Sequence, residues 1–353
     1  MSPRRFAASL DGAPSRLRRR LVTALSLGPA ASRLAVAGSS EVLLCCDDRL
    51  ARYGMVGEHP LGTGRQAAFL AEAARRGLVA RTRARAPLGP CGRDELLRFH
   101  TPALVDHVAG AEAAGLVLLD EGDTPVFPGV HEAASTVVAS ALDALARIMA
   151  GEVRASFQAV GGLHHAARNR CAGFCVFNDL GVVIETLRSV YGVRRVAYVD
   201  IDAHHGDGVY YAFESDPDLG FADIHEDGRH LYPGTGHAGE TGLGPAEGSK
   251  LNLPLPPGAG DGQFLAAWSR VEAYLEAFRP EFIVFQCGAD GLAGDPLTHL
   301  AYSPEAHRQA ATSLVALARR HCAGRLMAFG GGGYHPENLA QAWSTVLDVL
   351  VQG

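Results

Sequence analysis

Acids and imidazoles cluster in this chain where apolar runs end, and they are residue types that hold metals and move protons. The densest cluster is Asp200-Ile201-Asp202-Ala203-His204-His205-Gly206-Asp207-Gly208, at the downstream end of the apolar run 194–202. Side chains two apart share a face of an extended chain, so Asp200, Asp202 and His204 project together from its end. Charge there needs compensation, and an Asp-x-His pair in that position is a natural pair of metal ligands. A catalytic zinc takes three protein ligands and keeps a position open for water or substrate. Asp290, in Gln286-Cys287-Gly288-Ala289-Asp290-Gly291, also stands where an apolar run gives way to glycine, and it supplies the third ligand. Ferrous iron suits His and Asp ligands as well as zinc does.

Two further clusters complete the chemistry. His164 and His165 follow Gly161-Gly162-Leu163 at the end of another apolar run. Imidazoles act as acids or bases near neutral pH, and an acid on the far ring nitrogen fixes the tautomer and raises basicity. Asp200 and Asp207 are the spare carboxylates. Tyr334 follows four glycines, Gly330 to Gly333, which let the backbone turn sharply and present the phenol to the same crevice. A phenol beside a metal can polarise a carbonyl and stabilise its oxyanion, worth roughly 2.7–4 kcal/mol per donor. No Lys-Ser/Thr follows the glycines, so a phosphate-binding loop is excluded.

The elements that must position these residues alternate. Apolar runs that read as strands lie at 41–46, 155–160, 194–202, 219–225, 282–288 and 325–330, most of them apolar on both faces like buried parallel strands. Helical patterns lie between them at 66–76, 102–114, 131–150, 179–190, 261–278, 303–321 and 336–350, with Asn178-Asp179 and Ser303-Pro304 as helix starts. Gly and Pro crowd 233–262, which predicts a long loop. The expected fold is α/β, with helices on both faces of a mainly parallel sheet whose strand ends carry the site.

Composition bounds the rest. Hydrophobic residues make up 47% of the 353 and charged residues 20%, which suits one large globular core. The net charge is -6 and no basic stretch follows residue 41, which argues against direct nucleic-acid binding. Seven cysteines without regular spacing predict a reducing compartment, the cytoplasm, and Cys171-x-x-x-Cys175 reads as buried thiols rather than a second metal site. No apolar run is long enough for a membrane-spanning helix. Residues 1–40 set seven arginines against the single acid Asp11, a composition expected of a flexible extension, with an organelle-targeting segment as the competing reading. A single catalytic domain is expected over 41–353.

The motifs GGLHHA at 161–166, GFCVFND at 173–179, VDIDAHHGDGV at 199–209, LYPGTG at 231–236, QCGADGLAGDP at 286–296 and GGGGY at 330–334 resemble, in content and order, the histone deacetylase superfamily. That superfamily includes bacterial acetoin-utilisation proteins and acetylpolyamine amidohydrolases. The resemblance implies a three-layer arginase/deacetylase-like fold, zinc on Asp202, His204 and Asp290, and His165 as general base with Asp207 behind it. His164 would pair with Asp200 and support the leaving group, and Tyr334 would bind the scissile carbonyl. The acyl-lysine tunnel would be walled by Phe174, next to Gly173, and by Tyr232. Asp123 matches a rim carboxylate that binds substrate backbone, and Arg65 an arginine lining an internal acetate channel. Potassium sites are implied around Asp200, Asp202, His204 and Asp223 and, separately, near Phe213. Leu297 stands where some polyamine deacetylases carry an acidic gatekeeper, which favours acyl-lysine in a protein or peptide over a small acylated amine. A non-catalytic scaffold would be expected to lose some of these residues, and none is lost.

Overall fold

The computed structural model describes residues 40–55, 57 and 59–353, so the extension expected over 1–40 falls outside it save for its last residue. Eight parallel strands form one sheet: β1 (Val42–Cys45), β2 (Arg83–Arg85), β3 (Ala155–Gln158), β4 (Val196–Asp200), β5 (Leu219–Glu226), β6 (Lys250–Leu255), β7 (Phe282–Gln286) and β8 (Leu326–Phe329). Their spatial order is β2-β1-β3-β8-β7-β4-β5-β6. The double-sided apolar character of the central strands has a plain cause. In β4, Val196 and Tyr198 enter one core with the helices Val130–Met149 and Asp179–Ser189, while Ala197 and Val199 enter the other. That second core is built with Asp261–Phe278, Pro304–His321 and Pro336–Gln352. The α/β reading therefore holds, with the sheet as the middle of three layers.

Helix starts follow local chemistry. Asn178 caps Asp179–Ser189 by accepting from the amide of Gly181 at 2.8 Å, and Ser303 caps Pro304–His321 by accepting from Glu305 at 3.2 Å.

Two strands escape the sequence reading. The stretch 233–262 is not all loop, because β6 lies inside it, parallel to β5 at the sheet edge, with Pro254 opposite His225. An edge strand tolerates proline, which is why the local Gly/Pro content misleads. β2 is a three-residue edge strand carrying two arginines, and a charged edge shows no apolar period. The helix expected over 102–114 ends at Gly110 and gives way to turns.

Register places the site. Gln158, Phe329, Gln286, Asp200 and Asp223 form one row across β3, β8, β7, β4 and β5. The segments carrying His164 and His165, Asp202 and His204, Asp290 and Tyr334 each leave the sheet just after this row, so one crevice receives them. No helix among the described residues is long and apolar enough to cross a membrane.

Candidate active site

Asp202 and His204 leave the end of β4 and Asp290 follows β7, and one potential ligand atom from each lies within 4.8 Å of the others. Each carboxylate turns one oxygen toward His204; that of Asp202 also accepts from the His204 amide at 3.0 Å. Asp202 Oδ2 accepts from Gln286 Nε2 and from the Gly332 amide, both at 2.7 Å, which leaves Oδ1 3.1 Å from His204 Nδ1. Asp290 Oδ1 accepts from the Ala203 amide at 2.9 Å, which leaves Oδ2 2.9 Å from the same nitrogen. Burial pushes Asp290 up to about 7, helped by the charge of Asp202. Asp202 goes the other way: burial opposes its charge, but the imidazoles of His164 and His204 outweigh that. The two directions express one fact, that two buried carboxylates compete for a single imidazole. His204 is raised to about 10, because the two carboxylates overcome its own burial. A converging O,N,O donor set with surplus negative charge fits a divalent cation.

The tandem histidines are fixed from behind. Asp179 accepts from the amides of Gly162 at 3.0 Å and Leu163 at 2.9 Å, holding the loop that carries them. Gly162 has φ +78°, and a Cβ there would stand 2.9 Å from the Gly331 amide, so the two glycine loops require this close approach. His164 Nδ1 lies 2.8 Å from Asp200 and His165 Nδ1 2.7 Å from Asp207, and the two Nε2 atoms are 3.2 Å apart. Each acid thus takes an Nδ1 proton and leaves an Nε2 facing the crevice. Burial, then the neighbouring His164, lowers His165 to about 4, against the pull of Asp207. Asp200, which also accepts from Tyr198, is pushed well up by burial and then by Asp223 and Asp202.

A narrow cleft joins these parts, lined by Leu61, His164, His165, Phe174, His204 and Tyr334 among others. The Tyr334 amide donates to Asp295 at 2.8 Å, which sets the phenol at the end of its glycine run. Arg65 donates to the carbonyls of Gly333, at 3.0 Å, and Gly331, and its guanidinium lies 5.9 Å from the Tyr334 ring centre. Phe174, at φ +66°, is pinned through its carbonyl by the Tyr53 hydroxyl at 2.7 Å. Its ring meets Tyr334 edge-on at 6.1 Å, and Tyr232 meets His165 at 5.0 Å. Gly173 lies against the His165 ring, where a Cβ would collide. Asp123 lines an open groove that shares Gly173 with the cleft and is also lined by Tyr232, Leu116, Leu118, Asp120 and Glu121. Leu297 is not among the cleft-lining residues; it is half-buried and its amide donates to Asp295 at 3.0 Å.

The implied potassium positions differ sharply. Asp223 stands beside Asp200 in register, both fully buried, with Asp223 tied to His225 at 2.6 Å and to the Gly206 amide at 2.9 Å. Phe213 is buried under Arg168 and Arg188, whose guanidinium carbons lie 5.0 and 5.4 Å from its ring centre. Cys171 and Cys175 are buried free thiols, pushed upward by burial, as expected.

Sequence reasoning missed Gln286, Asp179, Asp295 and Tyr53, which hold the reactive groups in place. Gln286 and Asp295 lie inside the motif that supplied Asp290, and Asp179 at a helix start already noted, so position next to a motif was the available signal. Tyr53 had none.

Carboxylates and imidazoles gathered at the strand ends of a three-layer parallel sheet are the arrangement of a hydrolase. Comparison with known proteins narrows the class, since residues 59–350 match the histone deacetylase domain. The chain is 40% identical over 266 residues to the acetoin utilization protein AcuC of Bacillus subtilis (strain 168), covering 72% of this chain and 67% of that one. It is 34% identical over 268 residues to AcuC of Staphylococcus aureus (strain MSSA476), covering 73% and 68%. The crystal structure of the HDA15 HD domain superposes with a TM-score of 0.79 at 27% identity, covering 89% of this chain and 88% of that one. The chain belongs to the histone deacetylase family.

Proposed function

We propose that this chain hydrolyses the amide of acetyl-lysine, or of a related short acyl-lysine, in proteins or peptides. Zinc or ferrous iron would be held by Asp202, His204 and Asp290. The observation that carries the reading is the convergence of those three ligand atoms beside two imidazoles each backed by its own carboxylate. A divalent cation there would polarise the scissile carbonyl and lower the pKa of water. His165 is neutral at pH 7 with Nε2 turned to the crevice beside that of His164, so it accepts the proton of the attacking water while Asp207 steadies the imidazolium that forms. His164, backed by Asp200, is placed to protonate the departing amine. The Tyr334 hydroxyl donates to the carbonyl oxygen as charge develops on it. Phe174 and Tyr232 flank the alkyl stem, and Arg65 lines the interior route for the released acid. Potassium is proposed at the acid-rich position of Asp200, Asp202, His204 and Asp223.

The acids Asp120, Glu121 and Asp123 beside the cleft mouth favour a cationic substrate flank. They also admit a second reading, an acetylpolyamine as substrate. Relative kcat/KM for acetyl-lysine peptides, longer acyl-lysine peptides and acetylspermidine separates the two. The proposal expects an acyl-lysine peptide to lead, and a clear lead for acetylspermidine would replace it with the second reading.

A further inference from the structure

Lys250 opens β6 and is 2% exposed, a rare position for an ammonium. Its Nζ donates to the carbonyl oxygens of Asp216 and Leu219, both at 2.8 Å, and to the Ser249 hydroxyl at 2.9 Å. All three protons are used, and none goes to a carboxylate. The one carboxylate at hand, that of Asp216, is taken by Arg188. Burial lowers the Lys250 pKa to about 8, with Asp216 opposing and Arg188 assisting, which leaves the group protonated at neutral pH.

Charge held by converging backbone carbonyls is how proteins hold potassium. The turn at 213–219 is also where the family resemblance implies a potassium site, near Phe213. The residues present do not fit one. Two of the turn's carbonyls already face an ammonium, and Arg168 and Arg188 stack on the Phe213 ring. The Ser249 carbonyl is occupied as well, by the Tyr274 hydroxyl at 2.7 Å and the Phe221 amide at 3.3 Å. A further cation would find these oxygens already engaged.

We propose that Lys250 is the tethered cation of this turn, taking the place of a bound monovalent ion, so that the turn binds no potassium. The turn directly follows the helix Asp207–Ala212, whose first residue holds His165. Lys250 therefore acts as a positioning residue behind the proposed base, and unlike an ion it cannot dissociate when potassium is scarce.

Crystals of the full chain soaked in rubidium chloride test this through anomalous difference maps. The expected result is no peak on the Asp216 and Leu219 carbonyls in the wild type; a rubidium peak there overturns the proposal. In solution, Lys250→Ala and the wild type are melted in choline chloride and in potassium chloride at equal ionic strength. The variant is expected to melt several degrees below the wild type in choline, and potassium is expected to close most of that gap. A gap of equal size in both salts would show that the lysine acts by packing alone and would overturn the proposal. If the variant does not fold, the wild-type map decides.

Discussion

Two buried regions only a few residues apart in sequence solve the problem of charge in opposite ways. Around the ends of β4, β5 and β7 the chain buries Asp200, Asp202, Asp223 and Asp290, answered by the imidazoles of His164, His204 and His225. Among the described residues no lysine or arginine is hydrogen-bonded to any of these four acids. At 213–219 the charge is answered from within the chain: Lys250 is bonded to the carbonyls of Asp216 and Leu219, and the Asp216 carboxylate to Arg188. On the readings proposed above, the acid-rich region takes its cation from outside and the turn carries its own. Buried like charges raise each other's cost of ionisation, so the first region holds destabilising charge for the sake of chemistry, whereas the second spends its charge on shape.

The largest expected effect separates the two regions by sign. Asp290→Asn should lower kcat/KM by about a thousandfold or more, the scale of a lost metal. The metal-free variant should nevertheless melt at or above the metal-free wild type, because a carboxylate with a raised pKa is a liability once ionised. Lys250→Ala should show the reverse, lost stability with a smaller loss of turnover. An Asp290→Asn protein that melts well below the metal-free wild type would break the comparison.

Next, Tyr334→Phe should lower kcat by about 10²- to 10³-fold while metal content, read by elemental analysis, stays unchanged. Loss of metal in this variant would assign the phenol to the metal site instead.

A third expectation concerns acid. His100 and His307 are buried and their pKa values are lowered from 6.5 to about 4 by burial. The unfolded chain therefore binds more protons between these values, so stability is full above about pH 6.5 and is lost as pH falls toward 4. Each group contributes at most about 3 kcal/mol to that loss. Melting temperatures from pH 7 to pH 4 in one ionic strength check the slope, and a flat profile contradicts it. The smallest effect should come from Asp123→Asn on the groove, a severalfold rise in KM for peptides with basic flanks and little change in kcat.

How much of this was legible follows from where signal resides. The ligand atoms and the tandem histidines could be read because strand ends announce themselves as apolar runs broken by polar residues. Their pairings, His164 with Asp200 and His165 with Asp207, came from the resemblance, since the residues alone left two spare acids unassigned. β2 could not be read because its charged edge shows no apolar period, and β6 was hidden despite its alternating Leu251, Leu253 and Leu255 because it lies within a Gly- and Pro-rich stretch. Lys250 was invisible for a related reason: a lysine opening a Gly- and Pro-rich stretch looks solvated, and only the packing of β5 against β6 buries it. Asp295 carried no signal of its own, yet its carboxylate accepts from the amides of both Leu297 and Tyr334 and so ties the two segments together.

The central claim is that one divalent cation on Asp202, His204 and Asp290 drives amide hydrolysis. The most direct test strips the protein of metal and titrates it with zinc, and anaerobically with ferrous iron, while following hydrolysis of an acetyl-lysine peptide at fixed potassium. The account predicts no turnover in the stripped protein and a rise that breaks at one equivalent for at least one of the two metals. Full turnover in the stripped protein with chelator present would contradict it.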